Sequence, residues 1–300
     1  MIDVRKPFTP GAGPSPSAAG GLLSREGAIR EFSFSTADFD RVRLLIHQHA
    51  GISLSPVKQD MVYSRLARRL RATGKTSFSA YLDALERGGG DEWERFVNSL
   101  TTNLTSFFRE PHHFPIFADH LRKLGTQRPI RIWCSAASTG EEPYSIAITV
   151  AETFGSNTSH VSITASDLDT NVLAVAEKGI YQLDRVEKLS PERLRKFFLR
   201  GTGSQEGYVS VRPELKRLVE FKRINLLDPR YPLNGLLDVI FCRNVMIYFD
   251  KPTQYKILSR FAPMMQADGL MFAGHSESFL HAADLFKSLG KTVYARAMAR

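Results

Sequence analysis

From about residue 130 onward, short strand-like runs alternate with amphipathic helical patterns, and no other feature restricts the possible folds so strongly. Ile130–Cys134, Val161–Ala165, Val219–Ile224, Val239–Cys242, Leu270–Ala273 and Val293–Ala297 read as strands. Pro143–Phe154, Thr170–Lys178, Thr253–Met265 and Ser278–Phe286 read as helices between or beside them. Strands separated by helices cannot join through tight hairpins, so they pair in parallel with helices packed on the sheet faces. The expected architecture is an α/β, doubly wound, Rossmann-like sheet over residues 129–300. Its rhythm breaks between about 181 and 217, where Gly201, Gly203 and Gly207 precede the alternating stretch Tyr208-Val209-Ser210-Val211. A small inserted antiparallel β-subdomain is expected there.

Upstream of this region the periodicity is helical. Ser35-Thr36-Ala37-Asp38 has the form of a helix start ahead of Phe39, Val42, Leu45 and Ile46, with Gly51 as the stop. Pro56 opens a second segment carrying Met61, Val62, Leu66 and Leu70, Ser77–Leu85 supplies a third, and Trp93, Phe96, Val97 and Leu100 mark a fourth. Residues 33–102 are therefore expected to form an all-α N-terminal domain, followed at 103–128 by a linker and a connecting helix. Residues 1–32 combine Pro7, Pro10, Pro14 and Pro16 with Gly11, Gly13, Gly20 and Gly21, the composition of a disordered leader. The 40 Lys and Arg against 31 Asp and Glu leave a formal charge of +9, which favours acidic partners. Cys134 and Cys242 provide no disulfide framework or Cys-based zinc site, and no metal is expected. No window approaches the ~18 apolar residues of a membrane span, so a cytoplasmic protein without direct membrane insertion is expected.

In an open α/β sheet, ligands bind beyond the carboxyl ends of the strands where strand order reverses. The first strand is followed by Ser135-Ala-Ala-Ser-Thr-Gly-Glu-Glu142, small residues and then two carboxylates at a helix start. That pair would repel a pyrophosphate and welcome a nucleoside carrying positive charge. The second strand ends in Ser166-Asp167-Leu168-Asp169, where Asp167 is placed to accept from ribose hydroxyls and Asp169 to cap a helix. Asn225 and Leu226 follow the third strand and suit the edge and face of an adenine. Arg243, Asn244 and Tyr248 follow the fourth.

Five blocks carry a family resemblance: Thr102-Asn-Leu-Thr-Ser-Phe-Phe-Arg-Glu110, Ala137-Ser-Thr-Gly-Glu-Glu-Pro-Tyr-Ser145, Ala165-Ser-Asp-Leu-Asp169, Phe241-Cys-Arg-Asn-Val-Met-Ile-Tyr-Phe-Asp250 and Phe272-Ala-Gly-His-Ser-Glu277. In order and spacing the chain resembles the bacterial chemotaxis protein methyltransferases, the CheR family, which methylate glutamates of chemoreceptors. The resemblance implies S-adenosyl-L-methionine as cofactor and S-adenosyl-L-homocysteine as product. It also implies cofactor contacts from Asn103, Thr105, Arg109, Glu142, Asp167, Asn225, Leu226, Arg243 and Asn244. Glu142 is the expected inward carboxylate, with Glu141 as the other choice. The implied partners are cytoplasmic domains of chemoreceptors, including their C-terminal tails, and the implied location is the chemoreceptor array.

A glutamate carboxylate, with a pKa of about 4.3, is already ionised near neutrality, so its esterification needs orientation rather than a general base. Arg109 and Tyr248 are expected to position it, with Phe107 and Phe108 helping to exclude water. Arg65, Arg68 and Arg69, flanked by Arg71, share a helical face expected to dock an acidic receptor surface. Gly201, Gly203 and Gly207 are expected to shape a hairpin that takes a receptor tail as an added strand beside Tyr208–Val211. Ser210 stands where the resemblance calls for a basic residue. The alternative reading, a nucleic-acid-binding protein or RNA methyltransferase, rests on the same arginines; on the favoured reading no nucleic acid is bound.

Overall fold

The computed structural model describes residues 30–101 and 103–297, so nearly all of the expected leader lies outside the described residues. Helices α1 (Thr36–Ala50), α2 (Gln59–Thr73), α3 (Phe78–Gly88) and α4 (Asp91–Leu100) form the N-terminal unit. At the start of α1 the Ser35 hydroxyl accepts from the Asp38 amide at 3.1 Å, and the Asp38 carboxylate accepts from the Ser35 amide at 2.9 Å. This reciprocal cap satisfies two otherwise orphaned donors and stabilises the helix by about 1 kcal/mol. Val42, Ile46, Leu66, Leu70, Phe78 and Phe96 bury the inner faces of the four helices in one apolar core.

The second unit runs through α5 (His113–Leu124), β1 (Ile130–Cys134), α6 (Glu141–Phe154), β2 (Val161–Asp167) and α7 (Thr170–Lys178). It then makes a small sheet from β3 (Ile180–Gln182), β4 (Phe198–Arg200) and β5 (Tyr208–Val211), with α8 (Pro191–Phe197) between β3 and β4 and α9 (Pro213–Lys216) after β5. The main sheet continues with β6 (Val219–Arg223), β7 (Leu237–Cys242), α10 (Lys251–Phe261), β8 (Met265–Ala273), β9 (Phe286–Gly290) and β10 (Val293–Arg296). Among the described residues the main sheet has seven strands in the order β6-β2-β1-β7-β8-β10-β9. The first five of that order pair in parallel, as the alternation requires.

Its far edge departs from expectation. β10 runs antiparallel to β8, and β9 antiparallel to β10. The expected helix at Ser278–Phe286 is instead a short 3-10 turn, Leu280–Ala282, leading into β9. Phe279, Ala282 and Phe286 have helical spacing and are all buried, but the turn and the first strand residue bury them. Lys291 and Thr292, both at positive φ, make the tight turn back into β10. The helix expected to reach Met265 ends at Phe261, ahead of Pro263, and Met265 already begins β8. α6 starts at Glu141, two residues before Pro143, which is tolerated because first-turn amides have no intrahelical acceptor.

The inserted sheet has the order β3-β5-β4, so Tyr208–Val211 is its central strand, bonded on both sides. The expected strand addition there is excluded, and the edges of this sheet are β3 and β4. Gly201 lets the loop pack closely, since a Cβ there would lie 2.0 Å from the Gln205 carbonyl oxygen. Gly203 and Gly207 take positive φ in the same loop. These three glycines thus serve the turn itself, and bulky substitutions at Gly201 would disrupt it before testing any ligand.

Candidate functional site

Strand order reverses at β1, which has β2 on one side and β7 on the other. Beyond the carboxyl ends of these strands lies an open cleft of about 1010 Å³, mouth included. The structure brings Asn103, Thr105, Arg109, Glu142, Asp167, Asn225, Leu226, Arg243, Asn244 and Tyr248 together along its wall. The N-terminal unit closes the other side with Ala50, Ile52, Leu54 and Lys58. The Ser53 amide donates to the Tyr248 carbonyl at 2.7 Å, and the Lys58 ammonium sits 5.5 Å from the centre of the Tyr248 ring. Sequence reasoning missed this wall, although Ile52 and Leu54 are apolar residues in a segment too short to be helical.

The two carboxylates at the start of α6 have separate jobs. Glu141 turns to the inserted subdomain, where Arg185 pairs with it and the Thr139 hydroxyl donates at 2.6 Å. Glu142 lines the cleft and accepts from the Arg243 guanidinium at 2.6 Å and from the Cys134 thiol at 3.4 Å. Burial pushes the Glu142 carboxyl up and the Arg243 charge pulls it back. Arg243 is buried too, and its second terminal nitrogen donates to the Arg109 carbonyl at 2.6 Å and lies 3.4 Å from the Glu110 carboxylate. Burial opposes ionisation of Glu110, but His275, Arg243 and Asn244 together hold it down at about 2. Glu110, His112 and His113 place three possible metal-ligand atoms within 4.8 Å, yet Glu110 is already engaged by those cationic and donor groups.

At the end of β2, Asp167 accepts from the Ser138 amide at 2.8 Å and the Asp169 amide at 3.1 Å, one bond to each oxygen. These bonds fix its rotamer and leave a lone pair on each oxygen. Burial nevertheless raises its pKa. Asp169 caps α7 and also accepts from the Asn103 side chain at 3.0 Å, which ties the linker to the strand end. The Asn225 side-chain oxygen Oδ1 accepts from the Leu227 amide at 3.0 Å, so its NH2 group is the donor available to a ligand.

Residues 103–295 match the family described as "CheR methyltransferase, SAM binding domain", and residues 37–101 match "CheR methyltransferase, all-alpha domain". The chain belongs to the CheR methyltransferase family. It is 53% identical over 264 residues to the chemotaxis protein methyltransferase of Escherichia coli strain K12, covering 88% of this chain and 92% of that one. It is 52% identical over 269 residues to chemotaxis protein methyltransferase 2 of Pseudomonas aeruginosa PAO1, covering 89% and 96%. A third relative, from Salmonella typhimurium strain LT2, is 53% identical over 267 residues, covering 89% and 92%.

The cofactor of this family is S-adenosylmethionine, and the donor set fits it. Two acidic side chains, Asp167 and Glu142, share the cleft wall with the cations Lys58, Arg109 and Arg243, with neutral polar groups such as Asn225, and with small or apolar groups such as Ala136 and Leu226. The two carboxylates suit a ligand with hydroxyls and positive charge, and Arg243 is already committed to Glu142. Asp167→Ala should weaken cofactor binding by about tenfold or more, because it removes a carboxylate that lines the cleft at a strand end without deleting core volume. Calorimetry on the folded variant checks this, and an unchanged affinity would remove Asp167 from the site.

Other expected positions fall differently. Phe107 packs against Tyr181 and Phe198, and Phe108 against Phe114 with the Arg193 guanidinium 3.9 Å from its ring, so neither lines the cleft. On α2, Arg69 makes a bidentate pair with Glu92, at 2.9 and 2.6 Å, and Arg71 pairs with Glu31. Arg65 donates to the carbonyls of Ser99 and Thr101. The helix is therefore not the uncompensated basic stripe on which the nucleic-acid alternative rested, and Arg68 is its exposed arginine of the expected three. Among the described residues, no helix is long and apolar enough to cross a membrane.

Proposed function

We propose that the protein methylates glutamate side-chain carboxylates on the cytoplasmic domains of chemoreceptors, giving methyl esters at the receptor array. The observation that carries this reading is the placing of Arg109 and Tyr248 on the same cleft wall as Glu142 and Asp167, where among the described residues no histidine lines the cleft. S-adenosylmethionine, when bound, supplies an electrophilic methyl group. Asp167, Asn225 and Leu226 hold the adenosine part of it, and Glu142 faces its positive charge. Arg109 and Lys58 draw an incoming carboxylate into the cleft, and Tyr248 fixes its orientation through its hydroxyl. No group needs to take a proton, since the acceptor arrives ionised.

The relatives named above are chemotaxis methyltransferases, which supports a receptor as substrate. Arg68 is the proposed steering charge on α2, and an edge strand of the inserted sheet is the proposed seat of a receptor tail. The test is incubation with labelled S-adenosylmethionine and a chemoreceptor cytoplasmic domain. Base-labile label on glutamate is expected, whereas base-stable label or none would reject the reading. Arg109→Ala and Tyr248→Phe should each lower turnover by roughly 10- to 100-fold, because a small misplacement of the reacting groups is enough for that loss. Turnover at the wild-type rate in the folded variants would remove both from the reacting centre.

A further inference from the structure

Segments that border the cleft carry exposed apolar side chains that the chemistry inside does not explain. Val57 is 89% exposed, Leu104 75% and Ile247 51%, and they come from three separate segments. Leu104 lines the cleft directly. Val57 and Ile247 each stand next in sequence to a lining residue, Lys58 and Tyr248, and those two side chains face one another across the mouth. The short 3-10 turns Pro56–Lys58 and Met246–Tyr248 thus present one cation, one aromatic ring and two outward apolar groups on opposing units. Single exposed apolar residues need no account, but a set gathered around a functional opening marks a contact surface.

We propose that Val57, Leu104 and Ile247 form an apolar rim that selects the acceptor segment, requiring apolar side chains beside the glutamate that enters the cleft. This rests on the glutamate-methylating function proposed above and names the substrate class of the same site. Leu104 lines the opening through which the carboxylate must pass, and Val57 and Ile247 adjoin residues that line it, so the segment carrying that carboxylate is the occupant proposed for the rim. A free or fully solvated glutamate would satisfy Lys58 and Arg109 but leave the rim wet. An acceptor flanked by apolar groups desolvates the rim and the mouth together, and it gains contact that salt does not screen.

The test uses the full chain with Val57→Ser and Ile247→Ser, separately and combined. A chemoreceptor cytoplasmic domain serves as acceptor, and methylation rates are measured across its concentration at low and high salt. Receptor-domain binding in the presence of S-adenosylhomocysteine, and cofactor affinity, are followed by calorimetry. The combined variant should raise the receptor KM and Kd by about tenfold with kcat nearly constant, since truncating a few central apolar contacts commonly has that effect. The rise should persist at high salt, and cofactor affinity should not change. An unchanged KM and Kd, or a rise that vanishes at high salt, would overturn the rim. If removing residues 1–29 lowers the receptor KM while the rim variants do nothing, that segment covers the rim and the proposal fails. Rim-dependent binding without any base-labile product would overturn the proposed reaction while leaving the rim standing.

Discussion

Arg243→Ala should abolish measurable cofactor binding and lower folding stability by about 3–5 kcal/mol, the usual penalty for removing one partner of a buried ion pair. Arg243 is 3% exposed and holds Glu142 at 2.6 Å, the Arg109 carbonyl at 2.6 Å and the Glu110 carboxylate at 3.4 Å. Without it, two buried carboxylates lose their common cation and the linker loses its tie to β7. Burial already raises the Glu142 pKa, and loss of the guanidinium raises it further. A carboxyl with a raised folded-state pKa binds its proton more tightly when folded, so its contribution to stability falls as pH rises from its unfolded value through the folded one. The Arg243→Ala deficit should therefore be largest near pH 8 and smaller near pH 5. Urea denaturation at both values checks the sign, and a deficit that is equal or larger at pH 5 would show that Glu142 is not the group left exposed to the loss. Adding Glu142→Gln to Arg243→Met should recover much of the stability, because the only carboxylate left without its cation is Glu110, which keeps His275 and Asn244 as partners, while cofactor binding stays lost.

How far the sequence reveals this site depends on whether the signal is local. Asp167 and Asn225 follow directly from apolar runs, and the rule that ligands lie beyond strand ends is enough to single them out. The choice between Glu141 and Glu142 is not local: it is settled by Arg185, 44 residues away in the inserted subdomain, which draws Glu141 aside. Arg69 shows the same limit. Its helical phase is visible, but its partner Glu92 comes from another helix, and with Tyr81 donating to Glu92 at 2.9 Å the three form a half-buried network. Alternation identifies Tyr208–Val211 as a strand yet is silent about its neighbours, and the central position of β5 depends on two short, weakly patterned strands. β9 was hidden for a related reason, since after Phe286 its side chains all face solvent and leave no period to read.

Glu277→Gln should weaken cofactor binding by about tenfold or more and lower stability by about 2–4 kcal/mol, the range for orphaning one or two buried donors. Glu277 is 5% exposed and lies outside the cleft, but one of its oxygens accepts from the amides of Gly274 at 2.5 Å and Asn244 at 2.9 Å. The other accepts from Val245 at 3.0 Å and Met246 at 2.8 Å. Four amides pointing at one carboxylate hold the turn after β7, where Asn244 adopts a φ of +58°, a strained value for a residue with a side chain. That turn sets the position of Arg243 and Asn244 on one side and the Met246–Tyr248 segment on the other. Glutamine keeps the shape of the side chain but offers a single acceptor oxygen, and its NH2 group faces amides that also donate. Glu277 is thus a positioning residue, and its effect should divide differently from plain unfolding. At a temperature where the variant is folded, cofactor affinity falls and turnover at saturating cofactor falls with it, because Tyr248 shifts too. The receptor KM rises as well, but less than in the combined rim variant, because Ile247 moves with this segment while Val57 and Leu104 stay in place. Glu277→Asp, which keeps four acceptor lone pairs on a shorter stem, should recover part of both losses. Equal cofactor affinity in wild type and folded Glu277→Gln would show that the turn holds its shape without the carboxylate, and that the left-handed Asn244 is maintained by the surrounding packing instead.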